Sequence, residues 1–230
     1  ELKELAELSR EYRQKTPILI RVKPGIEAHT HDYIRTGQDD SKFGFGLADA
    51  FDATNFALDN GSFLELRGFH CHIGSQIFQL EPFRLAAGVM IKFMSDIRDK
   101  TGFIAPELDI GGGLGIRYRR DDRPPSIEAF VECVAGAVRK YALEHNYPLP
   151  EILLEPGRSI VGEAGITLYT VGVVKDVPGI RRFVSIDGGM TDNIRPALYG
   201  AVYEAALANK ALQEPAEMVT IAGKACESGD

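Results

Sequence analysis

Cysteine is scarce, positive charge is outnumbered, and long apolar runs are missing. The 230 residues hold three cysteines, Cys71, Cys133 and Cys226. An odd count without framework spacing excludes a disulfide scaffold and suits a reducing cytoplasm. Lysine and arginine number 26 against 33 aspartates and glutamates, for a net charge of -7. That balance argues against nucleic acid as the main partner, since a phosphate backbone demands basic surface. No run approaches the ~20 apolar residues that a bilayer-spanning helix needs. No signal peptide is visible either, because residue 1 opens a charged, helix-like run that continues to Arg13. The glycine-rich stretches match neither a dinucleotide fingerprint nor a phosphate loop with its lysine.

What is present is an ordinary globular composition, 44% hydrophobic and 26% charged, enough to bury a sizeable core. Apolar runs beginning near residues 17, 64, 107 and 151 read as buried strands, and amphipathic segments separate them. Residues 47–59 form a helix closed by Asn60-Gly61. Phe83, Ala86, Ala87, Met90, Phe93 and Ile97 mark a second helix, and Pro125-Ser126 opens a third. The alternation predicts parallel βα units, an α/β fold built as a partial TIM (β/α)8 barrel over residues 1–164. Residues 27–46 are too polar for a core element and read as a long loop. His29 and His31 there read as loop residues, since no cysteine or carboxylate pattern completes a zinc set. Beyond residue 165 the rhythm breaks. Runs over 166–176 and 182–187, joined at Pro178-Gly179, predict a hairpin that begins a second, β-rich domain over 165–230, with a further run at 218–221.

Three of the strand runs end in glycines and polar groups: Phe69-His-Cys-His-Ile-Gly-Ser-Gln76, Leu108-Asp-Ile-Gly-Gly-Gly-Leu-Gly115 and Glu155-Pro-Gly-Arg158. In βα folds ligand chemistry gathers at the C-terminal ends of the strands. Gly111, Gly112 and Gly113 would let backbone N–H groups approach a phosphate, or simply make a tight turn. His70 and His72 alternate onto one side and Cys71 onto the other. His72 would lie flat against an aromatic ring or pack structurally, and Ser75 could donate to a phosphate oxygen. Glu155 beside Arg158 is either half of an ion pair or a partner for a protonated heterocycle, while Arg158 offers five fixed donors. Farther on, Arg195 and Tyr199 stand four apart, on one turn of a helix.

Taken in order, His72-Ile-Gly-Ser-Gln76, Asp109-Ile-Gly-Gly-Gly113, Glu155-Pro-Gly-Arg-Ser159, Arg195-Pro-Ala-Leu-Tyr199 and Cys226-Glu-Ser-Gly-Asp230 resemble the diaminopimelate decarboxylases. These are a family of alanine-racemase-like, fold type III pyridoxal phosphate enzymes. The likeness extends back through Ser41-Lys-Phe-Gly44 and Thr36-Gly37 to Arg21-Val-Lys-Pro-Gly25. It implies pyridoxal 5'-phosphate as cofactor and decarboxylation of meso-2,6-diaminopimelate to L-lysine and carbon dioxide. It implies that His72 stacks on the cofactor ring and that Glu155 pairs with the ring nitrogen. Ser75, Gly111, Gly112, Gly113, Gly157 and Arg158 would surround the phosphate. Arg158, Arg195 and Tyr199 would hold the substrate's carboxylate or distal group. Cys226 would approach the reacting carbon and Glu227 the distal ammonium, both in the active site of a second copy. Lys42 and Asp230 would bridge a homodimer. The neighbouring readings are an arginine, ornithine or carboxynorspermidine decarboxylase, and a non-catalytic barrel that binds pyridoxal phosphate.

The ends carry an expectation of their own. The chain opens inside a helix pattern without Met and stops just after a polar group, which reads as an internal fragment. On that reading the family's cofactor-bearing lysine precedes residue 1, an aromatic residue of the pocket follows Asp230, and the piece alone is weak or inactive. Lys23, Lys42, Lys175 and Lys224 are the lysines near motifs, and none stands where the family's does.

Overall fold

A computed structural model describes residues 1–26 and 42–230, so the readings placed on His29, His31, Thr36, Gly37 and Ser41 lie outside the described residues. The chain divides into two compact units, Glu1–Ile116 with Arg123–Gly162, and Arg117–Asp122 with Glu163–Asp230.

In the first unit the four apolar runs pair as a parallel sheet in chain order. β1 is Thr16–Arg21, β2 Leu64–His70, β3 Glu107–Asp109 and β4 Glu151–Leu153. Helix α1, Leu2–Glu11, precedes β1, and α2, Leu47–Asp59, α3, Glu81–Thr101, and α4, Ile127–Glu144, connect the strands. A short helix, α5, Arg158–Val161, follows β4. Pro17 is accommodated near the start of β1, at one edge of this sheet, where a missing N–H costs least. Side chains and a glycine mark the helix ends. Ser126 caps α4 by accepting from the Ala129 N–H at 3.1 Å, and Gly102 leaves α3 at φ 78°. At α2 the closing residue is Asn60, whose side chain donates to the Phe56 carbonyl at 2.9 Å.

The core lies between the sheet and its helices. Phe93 on α3 meets Phe69 of β2 edge-on at 5.0 Å and Phe51 of α2 at 5.3 Å, while Phe83 meets Phe130 of α4 at 4.8 Å. An irregularity in β2 sets which of its side chains join that core. Ile18 pairs with Leu66 and Leu19 with Gly68, so Arg67 is an extra residue bulged out of the ladder. Burial passes from even positions (Leu64, Leu66) to odd ones (Phe69, Cys71) across it. His70 and His72 therefore turn away from the face that Phe69 packs against α3. Gly68 sits where β2 and β3 touch: a Cβ there would lie 1.9 Å from the Glu107 carbonyl oxygen.

In the second unit β5, Val171–Val177, and β6, Arg181–Ile186, form an antiparallel hairpin around Gly179 at φ 74°. β7, Thr220–Ala222, pairs parallel to β6. Residues 166–170 stay outside the strand that the sequence led one to expect. They lack ladder partners until Thr170, which exchanges backbone and side-chain bonds with Asp187. A short helix, α6, Arg195–Tyr199, lies between β6 and β7. Among the described residues no helix is long and apolar enough to cross a membrane.

Candidate active site at the strand ends

Parallel register aligns Arg21, His70, Asp109 and Leu153 across the four strands, and Glu155 follows two residues after Leu153. Arg21, His70, Asp109 and Glu155 thus form a polar row at the carboxyl end of the sheet. His70 Nε2 lies 3.0 Å from Glu155 Oε2. An ionised carboxylate only accepts, so this contact assigns the proton to Nε2. One ligating atom each of His70, Asp109 and Glu155 lie within 4.8 Å of one another. That spacing is compatible with a metal, but the atoms already have other uses. His70 Nε2 turns its proton to Glu155, and Asp109 Oδ1 accepts the Gly111 N–H at 2.7 Å.

The charges differ in their surroundings. Asp109 is buried, and that burial pushes its carboxyl above the ordinary range, against the pull of the Gly111 N–H and of His70 and with the help of the Glu155 charge. The Glu155 side chain is 57% exposed. Its second oxygen, Oε1, has no protein partner among the described residues. Burial, then the charges of Arg21 and His70, depress the His72 imidazole below its usual value, so the ring is neutral near pH 7. His72 Nδ1 accepts the Gly112 N–H at 3.3 Å, which leaves the proton on Nε2. Cys71, turned to the other side, is pushed up to about 12 by burial first and Asp109 second, and is inert.

The three glycines join three loops at close quarters. A Cβ on Gly111 would lie 2.6 Å from the Cys71 carbonyl oxygen. One on Gly112 would lie 2.2 Å from that of Glu155, and one on Gly113 2.2 Å from that of Gly74. Gly111 and Gly113 also have φ of 72° and 107°. Packing alone thus demands glycine here, whether or not a phosphate is also received. Arg158 opens α5 just after Gly157, and its guanidinium donates to Gln76 Oε1 at 3.0 Å. Gln76 in turn brackets Ile116, donating to its carbonyl at 2.7 Å and accepting its N–H at 3.2 Å. Ser75 lies in the same turn, between Gly74 and Gln76.

The first unit thus brings His72, Ser75, Gly111, Gly112, Gly113, Glu155, Gly157 and Arg158 to one end of one sheet. Sequence reasoning gave no role to Arg21, Asp109 or Gln76, and placed His70 only on the same side of its strand as His72. The alternation of residues 70–72 was the available signal for His70. In the second unit Arg195 and Tyr199 do share a turn, but they engage each other. The Arg195 guanidinium lies 5.2 Å from the Tyr199 ring centroid and its Nε donates to the Tyr203 hydroxyl at 3.0 Å. Cys226 is an exposed free thiol, and Glu227 accepts from Ser228 at 3.2 Å. The Asp230 carboxylate takes the backbone N–H groups of Met190 and, at 2.7 Å, Ala225. Lys42 lies 5.0 Å from the Phe43 ring centroid.

A family profile described as "Pyridoxal-dependent decarboxylase, pyridoxal binding domain" matches residues 1–162, which include the whole of this polar row. The chain belongs to that family. Its relatives include diaminopimelate decarboxylase of Bacillus subtilis (strain 168), 50% identical over 98% of this chain and 52% of that protein. The diaminopimelate decarboxylase of Bacillus methanolicus is 53% identical over 94% of this chain and 50% of that one. Among solved structures, diaminopimelate decarboxylase from Helicobacter pylori complexed with L-lysine superposes with a TM-score of 0.85 at 32% identity. It covers 100% of this chain and 54% of its own. The expectation of an internal fragment set off by its two ends is corrected by these matches: the likeness runs over 98% and 100% of the chain. The chain spans about half the length of the curated relatives it matches.

Proposed function

We propose that the protein binds pyridoxal 5'-phosphate at the strand-end row and serves the decarboxylation of meso-2,6-diaminopimelate to L-lysine and carbon dioxide. The observation that carries the cofactor reading is Glu155: an exposed carboxylate with one oxygen held by His70 and the other open, beside a neutral imidazole. An acceptor-only group in that position fits a protonated ring nitrogen. The substrate reading rests on the likeness to proteins named diaminopimelate decarboxylase.

When bound, the cofactor supplies an electron sink for the pair released as a carboxylate leaves the substrate's α-carbon. Glu155 would keep the ring nitrogen protonated and so deepen that sink. His72, uncharged, would flank the ring. Ser75, Gly111, Gly112, Gly113, Gly157 and Arg158 would receive the phosphate. Arg158, Arg195 and Tyr199 would bind the carboxylate or distal end of the substrate, Glu227 its far ammonium, and Cys226 would return a proton to the α-carbon. A site that pairs both charges of a distal amino acid rejects a simple amine, because the unmatched charge would stay desolvated. A homodimer joined in part by Lys42 and Asp230, in a reducing cytoplasm that keeps three thiols free, completes the proposal.

The test is carbon dioxide release with pyridoxal 5'-phosphate present, comparing meso-diaminopimelate with L-ornithine, L-arginine and carboxynorspermidine. Preference for diaminopimelate, with L-lysine as co-product, is the expected result. Preference for a substrate with a plain amine at its far end would overturn the substrate reading.

A further inference from the structure

The polar row contains more groups than the cofactor reading uses. That reading gives Glu155 a task but leaves open what holds an exposed glutamate side chain in one direction. A flexible carboxylate at 57% exposure loses rotamer freedom when it is fixed, and the loss weakens whatever it then binds. His70 is well suited to remove that loss in advance. Its side chain is 12% exposed, it ends strand β2, and Arg21, Asp109 and Glu155 face it from β1, β3 and the segment after β4, with His72 two residues on. The Arg67 bulge turns it to this side of the sheet. Its Nε2 takes Glu155 Oε2 at 3.0 Å and leaves Oε1 for a ligand.

We propose that His70 is a positioning residue: it anchors Glu155 through Oε2 so that Oε1 is presented to the cofactor's ring nitrogen. The inference rests on the cofactor reading above and adds a residue that acts only through another.

Equilibrium dialysis of the full chain with two probes separates this role from simple structural support. One probe is pyridoxal 5'-phosphate. The other is its 1-deaza analogue, in which C–H replaces the ring nitrogen and nothing remains for Glu155 to hold. His70→Leu should weaken pyridoxal phosphate binding by about tenfold, the loss of one charge-assisted hydrogen bond, and leave the deaza analogue unchanged. His70→Gln, which keeps a donor near the Nε2 position, should restore most of the affinity. Equal loss for both probes in His70→Leu, or loss for neither, overturns the proposal. If the unaltered chain holds the two probes equally, Glu155 is not the ring-nitrogen partner. The cofactor reading then fails first and takes this inference with it.

Discussion

Asp109 shows how burial and bonding compete at one side chain. Its carboxyl titrates above its ordinary value because burial outweighs the Gly111 N–H and the attraction of His70. A raised carboxyl pKa in the folded state means that the fold binds the proton more tightly than the unfolded chain does. Its stabilising contribution is therefore full below the ordinary carboxylate pKa and is lost as pH rises through the folded value. Asp109→Asn keeps an acceptor for Gly111 but cannot ionise. Relative to the unaltered protein, its stability in urea unfolding should improve as pH rises from the ordinary carboxylate pKa, about 4, through the raised folded value; a change of the opposite sign would contradict the burial argument. Much of this site was legible in the sequence. Alternation put His70 and His72 on one side of β2, and the Glu155 and glycine motifs were singled out as they stand. The pairing of His70 with Glu155, 85 residues away, was not legible, because it depends on strand order and on a register that places Arg21, His70 and Asp109 in one row.

Helices and strands were more readable where their ends are chemically marked. Ser126 at the start of α4 and the Gly179 hairpin turn are side-chain or φ requirements that only a few residue types meet. The bulge at Arg67 has no such mark, since nothing in Leu64-Glu-Leu-Arg-Gly-Phe-His70 breaks the apolar alternation until Gly68. Yet the bulge decides which parity of β2 meets α3. Residues 166–170 failed in the other direction: their β-branched character suggested a strand, but propensity alone does not supply a ladder partner. Phe93 binds these elements together, with its ring edge-on to both Phe69 and Phe51 and only 3% exposed. Phe93→Ala should cost about 3–5 kcal/mol in urea unfolding of the first unit, in line with other large-to-small core changes. A loss below about 1 kcal/mol would mean that the α2, α3 and β2 contacts are not one cooperative core.

The two units differ in what they offer. The first holds nearly all of the buried apolar residues and the complete polar row, and it coincides with the match to the pyridoxal-binding domain over residues 1–162. The second is a small three-stranded sheet organised by polar ties. Arg182 joins Asp176 and Glu217, and Asp230 gathers the backbone of Met190 and Ala225. Among the described residues its strands bury few side chains, so its motifs at Arg195, Tyr199, Cys226 and Glu227 were readable only through likeness to relatives. The central proposal belongs to the first unit: Glu155 would hold the cofactor's ring nitrogen in its protonated form. Nitrogen-15 NMR of ring-labelled pyridoxal 5'-phosphate bound to the chain tests it most directly. A protonated-nitrogen shift near neutral pH in the unaltered protein, lost in Glu155→Gln, is the predicted result; the same shift in both proteins would contradict the account.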